Sequence, residues 1–198
     1  MRATSIVALA FLAALSAFAA CGGSDVNSTE QAQKAYLGLD PSIDKAITLG
    51  FAGFNEVASG GSPGANISPQ SADGGVSGTM TVTGHVDNGN STNKVMNLFD
   101  ALSNFSDDGK VTYNTDSSAL PLLNINLKGF PDGGLDGSLT GSFMMSGGLS
   151  GQVSLALTFA GQTQAGQTAG TVVRKPGTTH ITGTATSPAG TYNVDVTR

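Results

Sequence analysis

Charge is what this chain of 198 residues most lacks. Lys, Arg, Asp and Glu together make up 12 %, about half the ~25 % of an ordinary soluble domain. The formal net charge is −5 and no basic patch stands out, so a nucleic-acid role has no electrostatic support. Tryptophan is absent and aromatics reach only 6 %. The interfacial girdles of a transmembrane β-barrel are therefore missing. The two histidines, His85 and His180, have no cysteine partner and no H-x-x-x-H spacing, which speaks against a zinc centre. No G-x-S-x-G elbow marks a nucleophile. One cysteine, Cys21, cannot form an internal disulfide.

Glycine fills part of the gap. The chain has 28, roughly twice the ~7 % average share, and Ser, Thr and Asn carry its polar surface. The stretch from Leu135 to Phe159 shows how they are used. Leu135, Leu139, Phe143 and Met145 fall on one parity, and so do Leu149, Val153, Leu155, Leu157 and Phe159. A period of two is that of a half-buried strand. Gly147-Gly148 between the two arms suits a tight turn. The spacing predicts a long β-hairpin with one apolar face.

Similar strands follow from the same alternation. Val76 to Asp87 is the cleanest, ending in the turn pair Asn88-Gly89. Asn93 to Phe105 fits a helical stripe or a strand, and its place between hairpin partners favours the strand, with Asp100 as the misfit. Short strands are expected over Lys110–Thr115, Leu123–Leu127, Thr168–Arg174, Thr179–Thr186 and Thr191–Thr197, with a loose loop from Phe159 to Gly166. The acidic turns Asp107-Asp108-Gly109 and Asp132-Gly133-Gly134 lack the spacing of a calcium loop and read as plain turns.

The helix signal lies upstream. Asp40 suits an N-cap, Pro41 suits the first helical position, and Ile43, Ile47, Phe51 and Phe54 recur at helical spacing. Gly50 and Gly53 cost about 1 kcal/mol each relative to Ala, and such glycines let a helix approach a sheet closely. A second, shorter helix is expected over Thr29–Leu39. About nine strands at ~4.8 Å make a sheet ~40 Å wide, whereas a helix is ~10 Å across. One helix shields about two strands, so the apolar face must curl over itself. The expected fold is mainly β: a curled antiparallel meander or incomplete β-barrel, with one or two N-terminal helices packed on it. The segments are 1–20 as a signal peptide, 21–30 as a polar tether of up to ~30 Å, 31–58 as helix, 59–75 as a flexible loop and 76–198 as the β domain.

The amino terminus carries the one resemblance with specific residues. Arg2 precedes an apolar run from Ile6 to Phe18, then Ala19, Ala20, Cys21 and Gly22. The run is too short for a stable span and reads as a secretory signal. Phe18-Ala19-Ala20-Cys21 resembles the bacterial lipobox, departing from it at Phe18, where Leu is usual. The resemblance implies cleavage before Cys21 and acylation of that residue, several chains making a lasting anchor. Cleavage would leave eight basic against fourteen acidic side chains, so no polybasic contact with lipid is involved. Gly22 stands where enteric bacteria place the Asp of an inner-membrane retention signal, which implies the outer membrane.

Two functional readings follow. In the first, the chain resembles Gly/Thr-rich β lipoproteins of Gram-negative bacteria: an envelope protein with a structural or binding role, no catalysis, no cofactor and no metal. In the second, the plan resembles outer-membrane proteins of the LolB kind, a curved sheet with covering helices and a lipidated cysteine. That likeness is architectural and implies a carrier for an apolar ligand such as a lipid. Ile47, Phe51, Phe54, Leu139, Phe143, Leu155 and Phe159 would line either the ligand cavity or a filled core. The carrier needs an apolar cavity of ~300 Å³ or more.

Overall fold

A computed structural model describes residues 23–57, 63–88, 91–167 and 171–198. One helix packs on an eleven-stranded sheet that is antiparallel but for one short strand. The chain runs β1 (Ser24–Asp25), α1 (Thr29–Val57), β2 (Gly64–Asp73), β3 (Ser77–Asp87), β4 (Lys94–Ser106), β5 (Val111–Asn114) and β6 (Leu122–Lys128). It continues with β7 (Gly134–Gly147), β8 (Leu149–Ala165), β9 (Val172–Arg174), β10 (His180–Ser187) and β11 (Gly190–Thr197). The sheet order is β11-β10-β8-β7-β5-β4-β3-β2, with β6 also bridging β4 and β7, and with β1 and β9 attached to β8. The expected hairpin is β7–β8, paired from Gly134↔Gln162 to Met145↔Gly151. The ambiguous stretch is β4, a strand as expected.

The sheet curls as the apolar area requires. Helix α1 touches β2 and β11, the two edge strands, and also β3, β4, β8 and β9. A helix ~10 Å wide reaches both edges only if they bend round towards it. The ring is partly closed, with α1 filling the gap between its edges. Inward residues from all sides, among them Met80, Leu98, Leu123, Leu139, Val153 and Ile181, join one hydrophobic cluster with the helix. Curvature uses glycine where the sequence placed it on the inward parity: Gly84 has φ +139°, and a Cβ there would overlap the Asn97 carbonyl on the neighbouring strand.

Several expectations need correction. The two helices are one, of 29 residues, running through Pro41. Its start is capped upstream, where Gln31 N–H donates to Ser28 Oγ (3.3 Å) and Gln31 Oε1 accepts from Asn27 N–H (2.8 Å). Asp40 is therefore an interior residue, not a cap. A mid-helix proline costs ~3 kcal/mol. Burial on both sides of it, by Ala35, Tyr36 and Leu39 before and by Ile43, Ile47 and Phe51 after, offsets that cost.

The loop expected over 59–75 contains β2, residues 58–62 lying outside the described ones. Its polar composition concealed an edge strand. Pro69 sits where the register with β3 shifts, between Ile67 and Gln70, and proline is tolerated at edges and bulges. The loose loop after Phe159 is the continuation of β8 to Ala165. The polar tether is also shorter than expected. Ser24 and Asp25 pair with Leu149 and Ser150, and Val26 is buried. The expected turn residue Gly89 and the start of the Thr168–Arg174 strand lie outside the described residues.

Helix and sheet approach closely at glycines. A Cβ on Gly53 would press on the Ile67 side chain, and one on Gly38 would overlap the Tyr113 hydroxyl, which itself donates to the Ala35 carbonyl at 2.9 Å. Gly38→Ala should therefore destabilise the protein, against the gain of about 1 kcal/mol that Ala brings to a free helix. Urea unfolding checks the sign. A stabilised variant would mean that Tyr113 moves aside without cost.

Candidate functional site

The seven residues expected to line a cavity or core all point inward. Ile47, Phe51, Phe54, Leu139, Phe143, Leu155 and Phe159 are each no more than 5 % exposed and belong to the one cluster. Phe51 also packs edge-on against Phe130, with ring centroids 5.5 Å apart. The space between helix and sheet is occupied by side chains at these positions. Cys21 lies outside the described residues.

The histidines point outward. His85 contacts Asn66 Oδ1 through Nδ1 and Asp87 Oδ1 through Nε2, both at 2.8 Å. His180 Nε2 contacts Asp195 Oδ1 at 2.8 Å. Both are cross-strand or same-strand surface pairs, and neither histidine bonds a serine among the described residues. No group of three metal-binding side chains occurs among the described residues either.

The strongest polar constellation is one the sequence did not announce. It is centred on Asp40 of α1 and Arg174 at the end of β9, both 6 % exposed in their side chains. Arg174 donates to Asp40 Oδ1 at 2.8 Å, to Asp40 Oδ2 at 3.1 Å and to the Asp40 carbonyl at 2.9 Å. Its Nε and second terminal nitrogen also reach Asp44, at 3.0 and 2.9 Å. Asp40 further accepts from the Tyr36 hydroxyl at 2.5 Å and from Arg198 Nε at 3.1 Å. Asp40 and Asp44 face the same way because they are four residues apart on a helix.

Electrostatics follow from this packing. Burial alone would raise the Asp40 pKa. Hydrogen bonds and charge from Arg174, with smaller help from Tyr36 and Arg198, outweigh it and hold the carboxyl below its usual range. Burial and the Asp40 charge push the Tyr36 hydroxyl upward. For Arg174, burial opposes the charge, and the bonds to Asp44 and Asp40 overcome it, so its pKa is raised.

A cleft of about 470 Å³ opens beside this cluster, walled by Lys175, Pro176, Gly177 and Thr197 as well as the charged residues. The arginine within it is already committed to two carboxylates, and the carboxylates to their donors. The arrangement clasps the middle of α1 to the last strands. A pattern reading could have found it only by noticing Asp40 and Asp44 one turn apart beside an apolar face. The cap signal of Asp40-Pro41 masked that.

Two other ionisable side chains are buried. Lys94 donates to the carbonyls of Asn88 and Ser91, both at 2.7 Å, and lies over the Phe130 and Phe54 rings. Burial lowers its pKa. Asp100, the misfit of β4, does face inward. It is buried, its Oδ1 has no hydrogen-bond partner among the described residues, and burial pushes its pKa up to about 8.

Comparison with known protein families, with curated proteins and with solved structures gives no match for this chain.

Proposed function

We propose that this is a lipid-anchored protein of the bacterial cell envelope, held in the outer membrane by acyl chains on Cys21, with a structural or binding role and no catalysis. The observation that carries it is the placing of the only cysteine. Cys21 ends the amino-terminal apolar run and precedes by two residues Gly23, where the chain joins the sheet. Among the described residues no helix is long and apolar enough to cross a membrane, so a covalent anchor is a sufficient means of attachment. The filled interior supports a structural body over a carrier, since Phe51, Phe54, Phe143 and Phe159 take the volume an apolar ligand would need. The saturated Asp40–Arg174 clasp supports the absence of catalysis at the most polar buried position.

The test is Cys21→Ala with metabolic labelling by a palmitate analogue. The unaltered protein takes up label and sediments with membranes through a high-salt wash. The variant takes up none and is released. Unlabelled, soluble recovery of the unaltered protein would overturn the anchor. Native mass spectrometry of the body without acyl chains should give the mass of the chain alone; a copurified lipid would favour the carrier.

A further inference from the structure

The tether expected over 21–30 is cut short where Gly23 meets the sheet. Between Cys21 and Gly23 there are two residue steps, ~7 Å of extended chain at most. Gly23 is wedged into the sheet: its carbonyl accepts from Ser150 Oγ at 2.5 Å, and a Cβ on it would overlap the backbone of Gly147 and Leu149. Ser24 and Asp25 then pair with β8, Val26 is fully buried, and the Val26 carbonyl accepts from Ser187 Oγ at 2.5 Å. The chain thus enters the body at the tip of the β7–β8 hairpin.

That tip belongs to a continuous rim of turns. Gly148 N–H donates to the Lys110 carbonyl at 2.7 Å, which joins the hairpin tip to the β4–β5 turn. Gly75 N–H donates to Asp107 Oδ1 at 2.7 Å and Val76 N–H to the Ser106 carbonyl at 3.0 Å, which joins the β2–β3 turn to the same one. The β10–β11 turn at Ser187–Gly190 sits on the other side of Val26. Val76 on this rim is 63 % exposed, more than any other large apolar residue of those described.

We propose that this rim of turns is the face the protein lays against a phospholipid bilayer, with Val76 at the lipid interface. The proposal rests on the anchor at Cys21, and adds to it an orientation. Chain length imposes the contact; charge does not, since exposed Asp25 and Asp108 on the rim are offset only in part by exposed Lys110. The same face should therefore meet neutral and anionic lipid alike.

Fluorescence quenching tests it. Val76→Cys and Asp132→Cys are prepared in the acylated protein, whose only native cysteine is the blocked Cys21. Asp132 lies in the turn before β7, and the fourteen residues of that strand separate it from the rim, roughly 45 Å of chain. Each variant carries a thiol-linked fluorophore and is bound to phosphatidylcholine vesicles containing a headgroup-nitroxide lipid. The expected result is loss of most of the signal at position 76 and little loss at position 132, unchanged when anionic lipid is added. Protein that floats with the vesicles but is quenched equally at both positions, or more at 132, overturns the orientation alone. Protein that fails to float overturns the anchor, and the orientation with it.

Discussion

Arg174→Met should lower the stability of the protein by about 3–5 kcal/mol, the usual cost of removing one partner of a buried ion pair. The guanidinium supplies two bonds to the Asp40 carboxylate and one to its carbonyl. Without it that carboxylate, 6 % exposed, keeps only Tyr36 and Arg198. Asp44, 36 % exposed in its side chain, turns to water and adds little. The double variant Asp40→Leu with Arg174→Met removes both charges and should recover most of the loss, because a buried pair often exchanges for apolar side chains at little net cost. The sign of the pH dependence follows from the lowered pKa of Asp40. Its contribution is present above the ordinary carboxylate range near pH ~4 and disappears as pH falls through the folded value. Urea midpoints of the single variant and the unaltered protein should thus differ at pH 7 and converge below pH ~4. A single variant within about 1 kcal/mol of the unaltered protein at pH 7 would show that the cluster is solvated in solution.

The sheet was legible because a strand has a period of two, and inward residues such as Val82, Leu139 and Leu155 keep it over long runs. The curl was legible from area alone, since one helix cannot cover so many apolar strands. What escaped the pattern lies where local chemistry and tertiary packing disagree. Asp40-Pro41 carries a strong cap signal, yet Ser28 and Gln31 cap the helix a dozen residues earlier, and packing on both sides of Pro41 keeps it continuous through the proline. Strand β2 has too little apolar alternation to declare itself; Ile67 is its only buried residue, and pairing with β3 makes it a strand. Strand β1 is two residues long, shorter than any period, and its docking depends on Gly23 and Ser150 meeting across 127 positions. The burial of the seven inward residues was legible because each follows from a parity or a helical stripe. The Asp40–Arg174 clasp joins positions 134 apart, and a pairing of that range leaves no periodic trace.

Asp100 should make the protein less stable as pH rises from about 4 to about 8. Its carboxyl is buried, Oδ1 has no partner among the described residues, and burial pushes the folded pKa up to about 8. The folded state keeps its proton through a range in which the unfolded state, near 3.9, has lost it. Folded chains therefore bind more protons than unfolded ones between those values, and stability falls with pH until both are ionised. At about 1.4 kcal/mol per unit the full penalty is on the order of 5 kcal/mol, a large part of the ~5–15 kcal/mol of a typical domain. Asp100→Asn keeps the shape of the neutral acid without the titration. Its urea midpoint should match the unaltered protein at or below pH ~4 and exceed it clearly at pH 8.5; equal slopes with pH in the two proteins would mean that Asp100 is ionised and solvated. The two inward aspartates then act in opposite senses. Asp40 gives up its contribution on the acid side of its folded value, and Asp100 begins to cost on the alkaline side of the ordinary carboxylate range. Between them stability should peak at mildly acidic pH, and Asp100→Asn should broaden that peak toward neutrality while Arg174→Met flattens its acid flank.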